Sequence, residues 1–220
     1  MMVLSPRAIS ILGYIADSGE VPFHVLLQAF WPDTGSERAE KSMREWVRRQ
    51  RHAGWLRTSV PRGANTTVRL SSKAKTIFAE RNGTPALAVG HPRARAHHAA
   101  TLLYIEEVRA QLNPNEAIVE SLLEPQLRAR EQAGRGTRRG QVYDSFPDAM
   151  LRVKTTMPNG ITHFRNVAVE YVTSKYTSKD ILAKCASFAS KYDQVLWVAD
   201  NPRTQARVEH LVGGECACLH

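Results

Sequence analysis

The fold of the second half of the chain is decided by residues 146–172, which read FPDAMLRVKTTMPNGITHFRNVAVEYV. Apolar and β-branched residues recur through 146–153 and 163–172, as is typical of strands. The Pro-Asn-Gly sequence at 158–160 is a turn signal between them. The sequence therefore predicts two antiparallel strands joined by a short turn, with one acidic residue on each strand.

Helices and further strands are predicted on both sides of this strand pair. Helical spacing of apolar residues covers 97–112, and 117–123 reads as a strand. After the pair come a helix over 178–192, a continuous apolar strand over 194–199 and a helix over 203–211. The predicted order is helix, strand, strand, strand, helix, strand, helix.

Two other segments of the second half are predicted to lack regular structure. Residues 126–140 are rich in Arg and Gly, which predicts a mobile basic loop. The end of the chain carries Cys216, Cys218 and His220, too few ligands at too short a spacing for a structural zinc site. We therefore expect this end to fray.

The sequence pattern of the first half predicts three helices, two strands and a fourth helix. Their expected bounds are 5–17, 22–31, 36–53, 55–60, 66–70 and 73–80. The third helix has an apolar face and a charged face. The apolar residues are Ala39, Met43, Trp46 and Val47, and the charged ones are Lys41, Arg44, Arg48 and Arg51. Such a helix packs on one side and presents its cations on the other.

Positive charge is concentrated in the first half. The 220 residues carry 30 Lys and Arg against 21 Asp and Glu, a formal net charge of +9. Residues 1–99 hold 15 basic and 7 acidic side chains, whereas 100–220 hold 15 and 14. The asymmetry indicates that the first half meets a polyanion such as nucleic acid. The alternative is a soluble basic surface without such a partner.

Three helices followed by a basic strand pair, with Gly54-Trp55-Leu56 where the third helix turns into the first strand, resemble the winged helix-turn-helix family over about residues 5–80. The resemblance implies that the third helix enters the major groove of DNA and that the strand pair, the wing, lies along the backbone or minor groove. The implied DNA contacts are Arg38, Lys41, Arg44, Arg48 and Arg49 on the helix, and Arg57, Arg62 and Arg69 on the wing. A solvated charged helix face is the alternative.

The order of elements in the second half, with an acid on each of the paired strands, resembles the restriction-endonuclease-like family. The core of that family carries a Pro-Asp pair on one strand and Glu-x-Lys on the next. Asp148 matches the first acid and Glu170 the second. The resemblance implies that the two carboxylates hold Mg²⁺, which polarises a phosphate and activates a bound water.

The lysine of that motif is missing from its expected position, which holds Val172. Some members of the family supply the lysine from the following helix, where Lys184 lies, and Lys175 and Lys179 just before it are further candidates. Glu107 is a candidate third carboxylate. In the alternative interpretation, Asp148 is a strand-start acid and Glu170 pairs with a basic neighbour.

The combination of both halves resembles the replication-relaxation family and related accessory proteins of plasmids and integrative elements, over about residues 5–212. It implies an α+β chain with a winged helix-turn-helix domain at 1–83, a linker at 84–96 and a restriction-endonuclease-like α/β domain with a mixed central sheet at 97–220. The implied function is that of a DNA-binding accessory protein in mobilisation, transfer or replication control. Implied partners are double-stranded DNA, a relaxase or another mobile-element protein, and a second copy of the chain.

Two alternative functions stay open at this point. The first is a Mg²⁺-dependent endonuclease or nickase that uses Asp148, Glu170 and Lys184. The second is a transcriptional regulator that dimerises through the second half. We favour DNA binding with a degenerate nuclease-like domain, because Val172 replaces a lysine that phosphoryl chemistry uses, whereas the basic first half needs no cofactor to bind DNA.

The chain is predicted to be cytoplasmic, without a membrane partner. Its three cysteines cannot form a disulfide framework, which fits a reducing compartment. Its longest apolar stretches fall short of the roughly 20 residues that cross a bilayer, and its first residues lack the pattern of a secretion signal. Three tyrosines, Tyr143, Tyr171 and Tyr176, are candidate nucleophiles of the kind relaxases use, with packing aromatics as the alternative.

Overall fold

The computed structural model describes residues 4–31, 33, 35–60, 66–82, 92–135, 145–214 and 216–218. Within these residues the chain is of the mixed α+β class, with eight helices and with eight strands in two sheets. The chain divides into two compact units, Met1–Leu102 and Leu103–His220, called here the first and second unit.

The first unit alternates short helices with three strands. Its elements are α1 (Pro6–Ser18), β1 (Glu20–Pro22), α2 (Phe23–Phe30), α3 (Glu37–His52), β2 (Leu56–Ser59), β3 (Thr67–Leu70), α4 (Ser72–Asn82) and the beginning of α5 (Pro92–Gln111). The four helices and two strands predicted up to residue 80 are confirmed to within two residues at each end. The sequence pattern did not indicate β1, which is only three residues long.

The sheet of the first unit has the strand order β1-β3-β2 and is antiparallel throughout. The buried carboxylate of Glu20 links the end of β2 to the start of β3. The Thr67 hydroxyl donates a hydrogen bond to Oε1 of Glu20 over 2.5 Å, and the Ser59 hydroxyl donates to the same oxygen over 3.0 Å. These bonds anchor β2 and β3 where the connection 61–65 begins and ends. That connection, with the predicted contact Arg62, lies outside the described residues.

Packing of α3 follows its sequence pattern. Ser36 caps the helix by accepting a hydrogen bond from the backbone N–H of Ala39 over 3.1 Å. Met43 and Val47 are buried against the core, which turns the opposite face to solvent. Gly54, with a φ of 79°, then turns the chain into β2 in a conformation that favours glycine.

The second unit is built around a five-stranded sheet. Its elements after α5 are β4 (Glu116–Leu123), α6 (Glu124–Arg135), β5 (Ala149–Thr156), β6 (Thr162–Val172), α7 (Ser178–Ala189), β7 (Gln194–Ala199), α8 (Pro202–Val212) and β8 (Cys216–Cys218). The strand order is β4-β5-β6-β7-β8. The pairs β4/β5 and β5/β6 are antiparallel, and β6/β7 and β7/β8 are parallel. The predicted strand pair is confirmed as β5 and β6, although β5 begins at Ala149 rather than at 146.

Two predictions of irregular structure are wrong where the structure describes the chain. Most of the predicted loop 126–140 belongs to α6, while 136–144 lies outside the described residues. A proline in the first turn and an ion pair between Glu124 and Arg128, one turn apart, favour this helix. The predicted frayed end also contributes β8, because residues 216–218 pair with β7.

One face of β6 and β7 is covered by α7 and α8. Val172 and Ala199 of the strands pack in an apolar cluster with Ile181 of α7 and Val208 of α8. Side chains two residues apart on a strand share a face, so Glu170 lies on this same helix-covered face. The fold therefore places an acidic side chain of β6 beneath α7.

Candidate nucleic-acid interface and acidic site

The predicted helix contacts lie on the exposed side of α3. Arg38, Lys41, Arg44, Arg48 and Arg49 are all exposed. A shallow groove of about 850 Å³ along this helix is lined by basic and acidic side chains together: Glu37, Arg38, Glu40, Lys41, Ser42, Arg44, Glu45 and Arg48. The structure thus brings four of the five predicted helix contacts to one surface.

A second concavity joins the end of α3 to β2. It measures about 380 Å³ and is lined by Arg48, Arg51, His52, Leu56, Arg57 and Thr58. Arg48 lines both concavities, so the cationic surface continues from the helix onto the strand. Arg57 of β2 contributes as predicted, whereas Arg69 of β3 is half-buried and lines neither concavity. Arg51 and His52 are additional basic residues here that the set of predicted contacts omitted.

Two of the arginines pair with acids of their own helix. The Arg44 Nε donates to Oε1 of Glu40 over 2.9 Å, and the Arg48 Nε donates to Oε2 of Glu45 over 3.0 Å. The hydrogen bond from Arg48 lowers the pKa of the Glu45 carboxyl, and the same bond raises the pKa of Arg48. Both pairs are exposed to solvent, where such pairing is weak.

The other cations of this surface have no such partner. Among the residues that the structure describes, no acid lies within ion-pair distance of Arg38, Lys41 or Arg49, nor of Arg51 or Arg57. The positive charge of the outer face is therefore reduced by Glu37, Glu40 and Glu45 but not cancelled.

Asp148 lies directly before β5 and beside Glu170 of β6. The antiparallel register pairs Ala149 with Val169, which places residue 148 opposite residue 170. Oδ2 of Asp148 accepts a hydrogen bond from the backbone N–H of Tyr171 over 2.7 Å. The carboxylate of Asp148 is therefore held against the backbone that follows Glu170.

Glu170 is fully buried, with 0% of its surface exposed, and is paired with a lysine. Its Oε1 accepts a hydrogen bond from Nζ of Lys184 in α7 and another from the Tyr176 hydroxyl over 3.3 Å. The Lys184 side chain is 21% exposed, so its ammonium group reaches the carboxylate from the edge of the buried region. A buried carboxylate is tolerated when a charge partner and hydrogen bonds accompany it.

Tyr176 completes the surroundings of Glu170. Burial raises the pKa of the Tyr176 hydroxyl far above its usual value, and the nearby charges of Glu170 and Asp148 raise it further. In the structure the Tyr176 hydroxyl donates its hydrogen bond to Glu170. Of the other predicted tyrosines, Tyr171 takes part through its backbone N–H, and Tyr143 lies outside the described residues.

The structure brings Asp148, Glu170 and Lys184 together, as the sequence grouped them. These contacts are compatible with both interpretations made from the sequence, since Asp148 binds a backbone N–H and Glu170 pairs with a basic neighbour. Val172, at the position expected for the lysine, is buried in the apolar cluster. Burial raises the pKa of Glu107, but no group of three His, Cys, Asp or Glu side chains in the described residues has an arrangement suited to a metal ion.

The first turn of α6 also contacts the acidic site around Asp148, which the sequence analysis did not predict. The backbone N–H of Glu124 donates to the carbonyl oxygen of Asp148 over 2.9 Å. Arg128 pairs with the Glu124 carboxylate, with 2.9 Å between Nε and Oε1, and its guanidinium lies 5.3 Å from the centre of the Phe146 ring. The four-residue spacing of Glu124 and Arg128 was the available signal for this helix.

No protein-family profile, curated protein or solved structure matches this chain. Among the described helices, none combines the length and the apolar character that crossing a bilayer requires.

Proposed function

We propose that the chain binds double-stranded DNA through its first unit, acting as a winged helix-turn-helix domain. The observation that carries this proposal is the continuous cationic surface formed by the outer face of α3 and by β2. The order helix, strand, helix, helix, strand, strand and the sheet order β1-β3-β2 support the domain assignment.

The dimensions of α3 suit this role. Its 16 residues span about 24 Å, and a helix of this kind fits the roughly 12 Å width of the major groove of B-DNA. Cationic side chains on the outer face would contact phosphates, and an arginine directed at a guanine could read sequence. Since the cations extend onto β2, the adjoining strand would contact the backbone beside the groove.

The biological setting stays a prediction based on the family resemblance. It is that of an accessory protein of a plasmid or integrative element, in mobilisation, transfer or replication control. In this setting the partners are duplex DNA and a relaxase or another element-encoded protein, in the cytoplasm.

The direct test is the salt dependence of duplex binding by the whole chain, measured by fluorescence anisotropy. Five cations of the surface have no acid within ion-pair distance among the described residues. We expect the logarithm of the binding constant to fall against the logarithm of salt concentration with a slope of roughly −3 to −5, since each neutralised phosphate contributes about −0.9. Affinity that does not change between low and high salt would contradict the proposal.

A second candidate function is Mg²⁺-dependent cleavage of a phosphodiester bond by the second unit. The specific observation in its favour is that Lys184 of α7 contacts Glu170 beside Asp148. The strand order β4-β5-β6-β7, with two antiparallel pairs followed by a parallel one, supports a nuclease-like assignment. The lysine missing from β6 would then be supplied by the following helix.

Carboxylate oxygens are the kind of donor that a hard cation prefers. Mg²⁺ is usually held by one or two carboxylates together with water molecules, and Asp148 and Glu170 would provide these carboxylates. When bound, the ion would polarise the phosphate and lower the pKa of a water molecule. Lys184 would present positive charge beside the phosphate, and the Tyr176 hydroxyl would orient the Glu170 carboxylate.

Nicking of supercoiled plasmid in the presence of Mg²⁺ tests this second function. We expect Asp148→Ala to lower the nicking rate by more than about 100-fold, beyond the 10–100-fold typical for losing an outer-shell partner. Asp193→Ala is a matched control, because Asp193 likewise accepts a backbone N–H bond, from Asn166 over 2.7 Å. If the two variants nick at equal rates, or if the unaltered chain does not nick, the cleavage function is rejected. The proposal of DNA binding is not affected by that result.

A further inference from the structure

A polar pocket opens where the parallel strands β6 and β7 end. It measures about 420 Å³ and is lined by Ser174, Asn201, Arg203, Thr204 and Arg207. Ser174 lies two residues after the end of β6, and Asn201, two residues after the end of β7, caps the start of α8. The carboxylate of Asp200 fixes the rim, since it accepts hydrogen bonds from the Ser174 backbone N–H over 2.9 Å and from the Asn201 side chain over 2.5 Å.

Arg207 is the unusual residue of this pocket. Its Nε and Nη2 are buried, and neither donates a hydrogen bond to any residue in the described part of the chain. The residue as a whole is half-buried. A buried donor without an acceptor is costly, because it gives up its hydration and receives no hydrogen bond in return. A ligand that drew the guanidinium into the pocket would supply the missing acceptors.

Arg203 adds a second positive charge to the same wall. It lies one turn before Arg207 on α8 and is exposed. Two guanidinium groups four residues apart repel each other unless an anion lies between them. The start of an 11-residue helix adds a weaker attraction for negative charge.

We propose that this pocket binds a phosphate group, with Arg207 as its main ligand and Arg203 as its second. Guanidinium groups bind phosphate through paired, charge-assisted hydrogen bonds, and the Arg207 side chain both lines the pocket and has two donors without acceptors in the described part of the chain. The pocket is larger than a single phosphate needs, so it leaves room for an attached ester group.

The phosphate belongs either to a nucleic-acid backbone or to a free small molecule, and the nucleic-acid source rests on the proposed function. Ser174 follows Glu170 by four residues, which limits the distance between their Cα atoms to about 14 Å. One DNA strand rises 3.4 Å per nucleotide. A strand placed at Asp148 and Glu170 could therefore place a phosphate a few nucleotides away in this pocket.

The first experiment measures binding of inorganic phosphate to the whole chain by calorimetry and by thermal unfolding, in chloride buffers of matched ionic strength. At ten times the dissociation constant, phosphate should raise the unfolding midpoint of the second unit by about 3–6 °C. Arg207→Gln should weaken phosphate binding at least tenfold, and Arg203→Gln several-fold. Arg152→Gln is the matched control, because Arg152 is an exposed arginine of β5 outside the pocket and should bind phosphate like the unaltered chain.

A stability measurement separates a ligand-binding role from a structural one. In phosphate-free buffer Arg207→Met should unfold at the same or a higher temperature than the unaltered chain, because it removes two buried donors that lack acceptors among the described residues. Phosphate should no longer raise its midpoint. If Arg207→Gln binds phosphate as well as Arg152→Gln does, or if the unaltered chain binds none, the proposal is overturned. If the Arg207 variants do not fold, Arg203→Gln provides the test, and unchanged phosphate binding by that variant also overturns the proposal.

The second experiment identifies the source of the phosphate. Arg207→Gln is introduced into a chain that already carries Lys41→Gln and Arg48→Gln, so that binding by α3 contributes little. A further loss of affinity for a single-stranded oligonucleotide supports a backbone phosphate in the pocket. Unchanged oligonucleotide affinity with weakened binding of inorganic phosphate supports a free phosphate compound. The chain with only the α3 substitutions tests duplex binding by the first unit. Failure of the DNA-binding proposal can therefore be distinguished from failure of the phosphate-pocket proposal.

Discussion

Lys184→Met is expected to lower the free energy of unfolding of the second unit by about 3 kcal/mol, at the lower end of the 3–5 kcal/mol found when one partner of a buried ion pair is removed. The substitution leaves Glu170 fully buried without its lysine partner, while the Tyr176 hydroxyl still donates a hydrogen bond to it. We place the effect at the lower end because Lys184 is partly exposed, which lets water approach the carboxylate. Urea unfolding followed by tryptophan fluorescence measures this loss.

Two companion variants make this expectation specific. Lys179→Met removes an exposed lysine of the same helix and should change stability by no more than about 0.5 kcal/mol. Glu170→Gln combined with Lys184→Met removes both charges and should recover most of the stability, because no uncompensated charge stays buried. A double variant as unstable as Lys184→Met alone would show that packing, rather than charge pairing, accounts for the effect.

The second large effect is expected for duplex affinity. Lys41→Gln combined with Arg48→Gln should weaken duplex binding by about 10- to 100-fold and make the salt slope less negative by about 2, since each lost contact costs roughly 1 kcal/mol or more. Lys41 lies on the outer face of α3, and Arg48 lines both concavities. Fluorescence anisotropy at several salt concentrations measures both quantities.

Controls for this pair use the same unit. Lys73→Gln combined with Lys75→Gln removes two charges from α4 and should leave affinity nearly unchanged. Glu45→Gln should act in the opposite direction, because it removes a negative charge from the surface and releases Arg48 from its ion pair. If the α4 pair weakens binding as much as the α3 pair does, DNA contact through α3 is refuted and only overall charge matters.

Much of the element order could be predicted because it depends on local patterns. The bounds of β6 and β7 and the apolar face of α3 follow from periodicity and turn signals that neighbouring residues carry. The prediction failed for α6, where three glycines and several arginines suggested a loop. It failed again for β8, whose residues become a strand only because β7 offers a free edge to pair with. The division into domains stays a prediction.

Some features of the candidate sites could likewise be predicted from local sequence, whereas others depend on tertiary contacts. The cations of α3 could be recognised by their spacing, and the ion pairs of Arg44 and Arg48 also follow from local spacing on one helix. The contact between Glu170 and Lys184, 14 residues apart, could be suggested only through the family resemblance. The pocket around Arg207 had no signal in the sequence, since it forms only where two strand ends and α8 meet.

The sequence by itself determined the order of helices and strands and the faces that they bury, because backbone propensity and side-chain periodicity act over a few residues. The tertiary structure alone decided which distant charged groups meet. Removing a charge from water is unfavourable unless a partner compensates it, so the role of Glu170 depends on α7 packing over β6. For the same reason the role of Arg207 depends on what enters its pocket.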